Sequence, residues 1–477
     1  MSMLWTSDAL VAAMDGRPLG QLPQGITGIS IDSRTLKPGE AFFAIKGETM
    51  DGHDFATAAT KAGAGVLVVA QGRLPALGRL TAPMIVVPDV LEAMVKLGVA
   101  ARARTKAKII AVTGSVGKTT TKEALRHVLA AQAKVHVSDK SFNNHWGVPL
   151  TLARMPEDCD YAVFEIGMNH PGEIRPLVRM VRPHIALITI IAPAHLGFFR
   201  NLDEIAKAKA EIFEGVVRGG AALLNRDDPR SRLLGKMARE AGIEHLYGFG
   251  ENTRATYRLM NCVLDADHSI MTAKIAGQEV VARIGAPGRH IAQNALAVLG
   301  VVHLAGADVA RAAQALGDLA PERGRGQRHV LAHPEGPFTL IDESYNANPT
   351  SMKAALDLLA TTPVSGDGRR IAVLGDMLEL GSHSAKLHAA LANFVTDANV
   401  DVAFLGGPEM RALTDALPSD VAVEHRDSAD ELKPMLLDAI RPGDVVMVKS
   451  SKGIGFSRLV EAMLKTFPAQ RVGQPDI

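Results

Sequence analysis

Residues 108–120 read Lys-Ile-Ile-Ala-Val-Thr-Gly-Ser-Val-Gly-Lys-Thr-Thr, and this stretch decides the fold. A short apolar run, Ile109–Val112, leads into a glycine turn that ends at Lys118 and Thr119. A strand, a glycine loop and a helix start in that order predict a phosphate-binding loop, because the loop N–H groups and the helix N-terminus attract anionic oxygens. The pattern predicts that Lys118 reaches the terminal phosphates of a nucleotide and that the Thr119 hydroxyl binds Mg²⁺.

The glycine spacing in this loop is shorter than in the common P-loop. That motif, G-x-x-x-x-G-K-[ST], needs a glycine at position 112, where this chain has Val112, and the first glycine here is Gly114. A glycine turn that happens to precede a helix is the alternative interpretation, but the strand–turn–helix order favours a nucleotide site. The residues that we expect to surround the phosphates are Gly114, Ser115, Val116, Gly117, Lys118, Thr119 and Thr120.

Length and composition indicate a globular protein of several domains. A chain of 477 residues is long enough for about three domains. Its 47% hydrophobic and 22% charged residues are typical of a chain that builds large cores. With a formal net charge of +1, it has no broad attraction for nucleic acid or a membrane surface. Two cysteines, no basic leader and no apolar run of ~18 residues favour a cytoplasmic protein without disulfides, secretion signal or membrane span.

The pattern of apolar runs divides the chain into three α/β units, 1–107, 108–326 and 327–477. Repeated β-loop-α order predicts mainly parallel sheets with helices on both faces, whose ligands bind beyond the carboxyl ends of the strands. The predicted strands are Ile26–Asp32, Glu40–Ile45, Val66–Val69, Ile85–Val87, Lys108–Val112, Tyr161–Glu165, Ile185–Ile191, Ala221–Leu224, Phe338–Ile341, Ile371–Leu374, Val402–Leu405 and Val445–Val448. The predicted helices include Phe55–Ala62, Val90–Ala101, Asp203–Arg218, Met352–Ala360 and Ser384–Val395.

Two polar side chains of the central unit follow predicted strands at the edge where ligands bind. Glu165 ends one strand, and its carboxylate oxygens are of the kind that Mg²⁺ prefers. An exposed glutamate at a strand end is the alternative. His195 follows the next predicted strand and is either a structural histidine or a ligand beside the phosphates.

The helix predicted over Asp203–Arg218 places one lysine on its apolar face. Lys209 falls on the stripe that contains Ile205 and Phe213. A buried ammonium is costly unless it is paired or deprotonated, so burial predicts a lowered pKa and a reactive amine. The alternative is that the side chain extends along the helix edge to reach solvent.

Taken together, these residues resemble the Mur ligase family of ATP-dependent amide-forming enzymes. The G-x-x-G-K-T loop is shared across that family, whereas Ser344–Pro349 and Gly375–Gly381 are typical of the member that acts on UDP-MurNAc-tripeptide and D-Ala-D-Ala. The matching stretches run through the whole chain and are Thr113–Thr120, Asn143–Pro149, Glu165–His170, Ala194–His195, Ala206–Phe213, Pro287–Asn294, Asp342–Pro349 and Gly375–Gly381.

The resemblance implies an α/β fold of three domains. These are an N-terminal UDP-binding domain, a central P-loop ATPase domain with a parallel sheet, and a Rossmann-like C-terminal domain that closes over the site. It also implies a reaction in which ATP phosphorylates a carboxylate of the acyl donor and an amine then attacks the acyl phosphate to form an amide. The implied partners are the two small-molecule substrates, without nucleic acid or membrane insertion, and we expect a monomer.

The resemblance also assigns roles to the charged residues described above. By it, Lys118 stabilises the migrating phosphoryl group, and Thr119 with Glu165 holds one Mg²⁺ ion. His195 and a carbamylated Lys209 would serve a second Mg²⁺ ion. Sequence alone does not establish the carbamate.

Further contacts follow from the remaining motifs. Arg325, from the linker Pro321–Gly326, would reach the γ-phosphate on closure. The other residues expected to contact ATP are His290, Asn294, Asp342, Glu343, Tyr345 and Asn348. The residues expected to bind the UDP-linked substrate are Ser33, Arg34, Lys46, Gly47, Asn143 and Asn144.

The chain departs from the family pattern at two places, and two alternative functions remain open. Relatives often have Asp where this chain has Glu343, and they commonly read Val-Lys-Gly-Ser where this chain has Val448–Gly453, so the role of Lys449–Gly453 is open. One rival is another ligase of the Mur or folylpolyglutamate type, against which Ser344–Pro349 and Gly375–Gly381 argue. The other is a nucleotide-hydrolysing switch protein, which leaves those two stretches unexplained.

Overall fold

The computed structural model describes residues 3–78, 80–139 and 141–469. Its strands are β1 Trp5–Thr6, β2 Arg17–Leu19, β3 Gly25–Ile26, β4 Ile29–Ser30, β5 Ala41–Phe43, β6 Val66–Ala70, β7 Met84–Val87, β8 Lys108–Thr113, β9 Val135–Val137, β10 Tyr161–Glu165, β11 Ile185–Ile188, β12 Ala221–Asn225, β13 His245–Gly250, β14 Tyr257–Leu264, β15 Ser269–Ile275, β16 Gln278–Ile284, β17 Gln327–His333, β18 Gly336–Glu343, β19 Arg370–Gly375, β20 Val402–Gly406, β21 Ala422–Arg426 and β22 Val445–Lys449. Its α-helices are α1 Ser7–Met14, α2 Ala56–Lys61, α3 Leu74–Leu77, α4 Val90–Arg104, α5 Lys118–Ala130, α6 Gly147–Ala153, α7 Ile174–Val181, α8 Leu202–Ala210, α9 Ser231–Glu240, α10 Arg289–Leu304, α11 Val309–Ala315, α12 Pro349–Thr361, α13 Ser384–Ala389, α14 Leu391–Asp397, α15 Arg411–Thr414, α16 Ala429–Ala439 and α17 Ser457–Thr466. Within these residues, no helix is long and apolar enough to cross a membrane.

The central sheet positions the phosphate-binding loop. Its strand order is β16-β15-β14-β13-β12-β11-β8-β10-β9, parallel from β9 to β14 and antiparallel in β15 and β16. Strand β8 lies between β11 and β10, and its residues Ile109–Val112 are fully buried. A strand covered on both faces reads as one apolar run, which is why β8 stands out in the sequence.

Two further sheets flank the central one, and we call the three parts of the molecule the N-terminal, central and C-terminal lobes. The N-terminal lobe contains a five-stranded sheet of order β2-β7-β6-β5-β4 and a separate pair, β1 with β3. The C-terminal lobe contains a six-stranded sheet of order β17-β18-β22-β19-β20-β21, in which only the β17–β18 pairing is antiparallel among the described strands.

The N-terminal and central lobes share one hydrophobic core. A continuous cluster of buried residues extends from Trp5 to Ile243, and helix α4 packs against α6. The Trp5 indole donates to the carbonyl of Ala153 at 2.9 Å, and the Arg104 guanidinium lies 3.4 Å from the Trp5 ring centroid. The C-terminal lobe has its own clusters, one on each face of its sheet. The first junction is therefore apolar and continuous, whereas the second joins separately formed cores.

Two predicted strands are shorter or divided in the structure. The run Ile26–Asp32 splits at Gly28, since Ile26 ends β3 and Ile29 begins β4 in a different sheet. The run Ile185–Ile191 ends as a strand at Ile188, because the following residues bend to bond elsewhere. Ile191 N–H donates to Asp228 Oδ2 at 2.6 Å. The predictions missed β9, β13–β17 and β21, together with the short β1 and β2.

Two predicted helices also need correction. The helix expected over Asp203–Arg218 is α-helical only to Ala210 and continues as a 3₁₀ turn, Glu211–Gly215. A Cβ on Gly215 would lie 2.3 Å from the carbonyl oxygen of Val178, so this turn ends in close contact with α7 at a position that requires glycine. The helix expected over Ser384–Val395 is divided at Ala390 into α13 and α14.

Candidate active site

The loop after β8 is fixed by contacts that require glycine. Gly114 has φ +152° and Gly117 has φ +85°, and a Cβ on Gly114 would lie 1.9 Å from Thr189 Oγ1. That hydroxyl donates to the carbonyl of Val116 at 2.6 Å, and Ser115 N–H donates to the carbonyl of Ile190 at 2.8 Å. The loop is thus held against the end of β11, and helix α5 begins at its far side.

Lys118 lies inside this loop. Its Nζ donates to the carbonyl of Gly114 at 2.7 Å. Burial lowers the pKa of Lys118, while the nearby Glu165 carboxylate favours the charged form. A buried lysine cation beside a glycine loop and a helix N-terminus is an arrangement that favours a polyanionic ligand.

Glu165 is buried rather than exposed, so the interpretation as an exposed strand end is wrong. Only 1% of the residue is accessible. Its Oε1 accepts from the Asn143 side-chain amide at 2.7 Å, and its Oε2 is buried with no hydrogen-bond partner. An unpartnered buried carboxylate oxygen is costly unless something binds it. With the Thr119 hydroxyl lining the same cavity, these hard oxygens fit Mg²⁺.

Residues from the C-terminal side complete the cavity. Arg325 Nη2 donates to Thr119 Oγ1 at 3.1 Å, and its guanidinium lies 4.4 Å from the Tyr345 ring centroid. The Tyr345 hydroxyl donates to Ser141 Oγ at 3.1 Å. We call Lys118, Thr119 and Glu165 the central wall of the cavity. We call Arg325, Glu343, Tyr345 and Lys449 the closing wall.

The segment Lys449–Gly453, whose role the sequence left open, holds the closing wall together. Lys449 is 2% exposed, and its Nζ donates to Glu343 Oε2 at 3.0 Å and to the carbonyl of Asn346 at 2.9 Å. Ser451 Oγ accepts from Leu378 N–H at 2.9 Å. The two stretches that carry the resemblance, Ser344–Pro349 and Gly375–Gly381, are thus joined by this segment.

His195 lines the same cavity from the central lobe. Its backbone is left-handed, with φ +61°, and it precedes the 3₁₀ turn Leu196–Phe198. Its Nδ1 hydrogen-bonds Oε2 of Glu379, a residue of the C-terminal lobe. The histidine therefore lies where the two lobes meet.

Lys209 is buried, so the interpretation that its side chain reaches solvent is wrong. It is 1% exposed and lies on α8 among the buried residues Ile205 and Phe213. Burial, reinforced by the nearby Lys118 ammonium, lowers its pKa well below the ordinary value. Lys209 does not itself line the cavity. Among the residues that the structure describes, no group of three or more His, Cys, Asp or Glu side chains could hold a metal ion.

The remaining residues expected around ATP fall into two groups. His290, Asn294, Glu343 and Asn348 line the cavity, and burial lowers the pKa of His290. Asp342 does not line it, because its carboxylate accepts from Gly324 N–H at 2.9 Å and from the Ser344 hydroxyl at 2.6 Å. The structure thus gives Asp342 a different role, which is to fix the turn that carries Arg325.

The cavity between the walls has a volume of about 380 Å³. It contains residues that the sequence analysis missed. Asn225 ends β12, and Phe249 lies near the end of β13, at the same sheet edge as Glu165. Following every strand of the central sheet to its carboxyl end would have found Asn225. Further lining residues that were missed are Ser141, Thr189, Gln293 and Ser351.

A second, open cleft of about 1350 Å³ lies between the N-terminal and central lobes. Its lining includes Asp32, Thr35, Arg104 and Arg154, and Arg154 is paired with Asp139 of the same lining. Ser33 and Arg34 lie in the turn between Asp32 and Thr35.

The other residues expected to bind the UDP-linked substrate lie apart from this cleft. Lys46 and Gly47 line neither cavity, and Lys46 instead forms a β-bridge with Asp51. Asn143 lines the cavity between the central and closing walls. Asn144 Oδ1 accepts from Gly147 N–H at 3.0 Å, at the start of α6.

Comparison with known families matches almost the whole chain. The model described as "Mur ligase family, catalytic domain" matches residues 25–136, "Mur ligase middle domain" matches residues 112–302, and "Mur ligase, glutamate ligase domain" matches residues 324–452. These three matches together include every residue of both cavity walls.

Individual relatives are similar over nearly their full length. The UDP-N-acetylmuramoyl-tripeptide–D-alanyl-D-alanine ligase of Rickettsia prowazekii is 32% identical over 460 residues, which cover 96% of this chain and 99% of that protein. The protein of the same name from Escherichia coli is 33% identical over 440 residues, which cover 92% of this chain and 94% of that protein. A crystal structure of MurF from Acinetobacter baumannii has a TM-score of 0.83 at 29% identity, covering 97% of this chain and 99% of that one.

Proposed function

The chain belongs to the Mur ligase family, and on that premise we propose that it joins D-Ala-D-Ala to UDP-MurNAc-tripeptide with consumption of ATP. The product is UDP-MurNAc-pentapeptide, a precursor for peptidoglycan. The observation that carries this proposal is that Lys118 and Arg325, from opposite walls, line one cavity beside the Thr119 hydroxyl. The full-length relatives of that name support the choice of substrates.

The two walls suit transfer of a phosphoryl group to a carboxylate. A carboxylate does not react with an amine at neutral pH until its oxygen becomes a leaving group. The γ-phosphoryl group of ATP moves to the tripeptide carboxylate and ADP leaves. Lys118 and Arg325 offset the charge on the phosphoryl oxygens during this step. The amine of D-Ala-D-Ala then attacks the acyl carbon, phosphate departs, and the amine loses a proton as the amide forms.

Mg²⁺ and a modified lysine belong to the same proposal. The Thr119 hydroxyl and the free Glu165 oxygen would hold Mg²⁺, which supplies positive charge to the phosphates. We propose that Lys209, uncharged through burial, reacts with CO₂ to give a carbamate and a proton, and that His195 and this carbamate serve a second ion. In that case short-chain carboxylates such as acetate should partly restore a Lys209→Ala variant. Full activity of the variant without acetate would contradict the carbamate.

The open cleft is the proposed site for the UDP-linked substrate. The guanidinium groups of Arg104 and Arg154, which line it among several carboxylates, suit a pyrophosphate, and Ser33 and Arg34 lie in the turn between its lining residues Asp32 and Thr35. Asn143, hydrogen-bonded to Glu165, lies where the peptide would approach the phosphate. We propose that 1–107, 108–326 and 327–477 are three domains that bind the UDP-sugar, bind ATP and close over the site. We also propose that the protein is a cytoplasmic monomer.

Phosphate release tests the function directly. We expect release with ATP, Mg²⁺ and UDP-MurNAc-tripeptide to depend on D-Ala-D-Ala and to be matched by UDP-MurNAc-pentapeptide measured by mass spectrometry. Single amino acids as acceptors provide the matched control. Product with a single amino acid would favour a different ligase of the family. Phosphate release without any acceptor or acyl donor would favour the switch protein.

A further inference from the structure

The loops that carry His195 and Glu379 touch through their backbones. Gly197 N–H donates to the Glu379 carbonyl at 2.8 Å. Gly381 has φ +56°, and a Cβ on it would lie 2.8 Å from the Cα of Gly197. Any larger residue at position 381 would push the two lobes apart. The contact is therefore a close docking of one lobe on the other rather than a chance meeting of long side chains.

The C-terminal lobe holds Glu379 firmly. Its backbone is left-handed, with φ +63°. Just before it, Met377 N–H donates to His388 Nε2 at 3.0 Å and Leu378 N–H donates to Ser451 Oγ at 2.9 Å. The carboxylate thus arrives at His195 from a rigid support, and its position follows that of the lobe.

The pair defines which nitrogen of His195 carries the proton. A carboxylate only accepts hydrogen bonds, so Nδ1, which contacts Glu379 Oε2, is the N–H donor. In the neutral ring, Nε2 is then an acceptor with a free lone pair. Within the described residues Nε2 has no hydrogen-bond partner, and the histidine lines the cavity. Without Glu379, the neutral ring is free to carry its proton on either nitrogen.

The pair contributes little to holding the lobes together. The His195 side chain is 24% exposed and the Glu379 side chain is 43% exposed. Exposed ion pairs typically stabilise by about 0–1 kcal/mol. The larger effect is that Glu379 orients the His195 ring. Loss of the hydrogen-bond partner of a metal-ligating histidine typically changes metal affinity or activity by about 10–100-fold.

We propose that Glu379 is a positioning residue, which holds His195 with Nε2 directed into the cavity only when the C-terminal lobe is docked. The identity of the cavity's ligands in this proposal rests on the proposed function. Lobe docking and completion of the central-lobe site then become one event. Nucleotide bound to the undocked enzyme would meet a histidine of undefined tautomer and orientation.

Substitution of Glu379 tests this in the full-length protein. We expect Glu379→Ala to lower kcat about 10–100-fold while KM for ATP changes less than about twofold. Glu379→Gln, whose amide oxygen still accepts from Nδ1–H, should lose less. The matched control is Glu461→Gln, which removes another carboxylate of the C-terminal lobe, exposed and paired with Arg323 of the linker, and should keep full activity.

Mn²⁺ binding in the presence of ADP, followed by electron paramagnetic resonance, gives a readout without turnover. We expect Glu379→Ala to weaken Mn²⁺ binding by a similar factor and to have no further effect in a His195→Ala background. Unchanged Mn²⁺ affinity and kcat in Glu379→Ala would overturn the proposal. So would a full additional loss in the His195→Ala background, which would mean that Glu379 acts on docking itself. If D-Ala-D-Ala ligation fails while this coupling is observed, the proposed function falls and the positioning role stands.

Discussion

The central wall and the closing wall of the proposed ATP-binding cavity are built in different ways. The central wall comes from one sheet and the helix that follows it, and β10 holds Glu165 in register with Val112 beside the loop. The closing wall reaches the central lobe through a few polar contacts, such as Arg325 with Thr119 and Tyr345 with Ser141. The difference indicates that the central wall is formed whether or not the lobes dock. We propose that the closing wall contributes only in the docked state.

The largest expected effect comes from removing the cation of the central wall. Lys118→Ala should lower turnover about 10²–10³-fold, because one preorganised charge at a phosphoryl group is typically worth that much. The fold should persist, since Thr189 and the glycine conformations hold the loop and the lysine adds only one hydrogen bond, to the Gly114 carbonyl. Phosphate release under saturating substrates measures the effect. Lys236→Ala, which removes an exposed lysine of α9, is the control and should have no effect.

The next effect separates binding from turnover on the closing wall. Arg325→Ala should reduce kcat about 10–100-fold and leave nucleotide affinity nearly unchanged, because its contact forms mainly on docking. Steady-state kinetics and equilibrium ADP binding together measure this. Arg323→Ala is a close control, since Arg323 lies two residues away in an exposed pair with Glu461. A loss of ADP affinity with unchanged kcat would mean that Arg325 contributes to nucleotide binding rather than to turnover.

A smaller effect is expected at the contact between the walls. Tyr345→Phe removes the hydroxyl that bonds Ser141 but keeps the ring beneath the Arg325 guanidinium. One such hydrogen bond contributes about 1 kcal/mol, so kcat should fall by about fivefold. Tyr345→Leu also removes the ring and should cost more, because the cation–π contact is lost. Equal kinetics for the two variants would show that the ring has no role in placing Arg325.

The smallest effect on turnover is expected for His184, which contacts the end of β8 away from the phosphate-binding loop. His184 Nδ1 accepts from Ile109 N–H at 2.9 Å. Burial, with Arg102, Lys108 and Arg182 nearby, lowers the pKa of His184 from 6.5 to about 4. The unfolded chain therefore binds a proton near pH 6.5 that the folded chain refuses until about pH 4. Stability should fall over that range as the pH decreases, by less than the full shift implies because solvent screens a partly buried ring.

His184→Asn keeps an acceptor for Ile109 N–H and removes the titrating ring. Denaturant unfolding between pH 7 and 4 should show that this variant loses less stability as the pH decreases. Its turnover at neutral pH should be unchanged within about twofold. His245→Asn, at an exposed position of the same lobe, is the control and should follow the parent protein. Parallel stability curves for parent and His184→Asn would contradict the assigned proton linkage.

The sequence predicted the central wall well because that wall is local. A fully buried strand, a glycine turn and a helix start lie within a few residues of each other around Lys118. Glu165 follows from the rule that ligands bind at strand ends. The pairing of His195 with Glu379 joins residues 184 positions apart, each in a left-handed backbone, and no local pattern encodes it.

The missed strands have a different cause. In β15 the residues from Ser269 to Ile275 alternate between buried and partly or fully exposed positions. Strands with one solvated face alternate in this way, whereas the search for continuous apolar runs finds only strands buried on both faces. The same reason applies to β16. A period-two search over 257–284 would have recovered this antiparallel extension.

The hydrophobic core shared by the N-terminal and central lobes has a consequence for how the chain is made. Ribosomes complete residues 1–107 before α6 exists, so Trp5 lacks its partner Ala153 while the next segments are still being synthesised. The N-terminal lobe can finish folding only after the middle of the polypeptide has emerged. A truncated protein ending at residue 107 would present that apolar face to water and would aggregate.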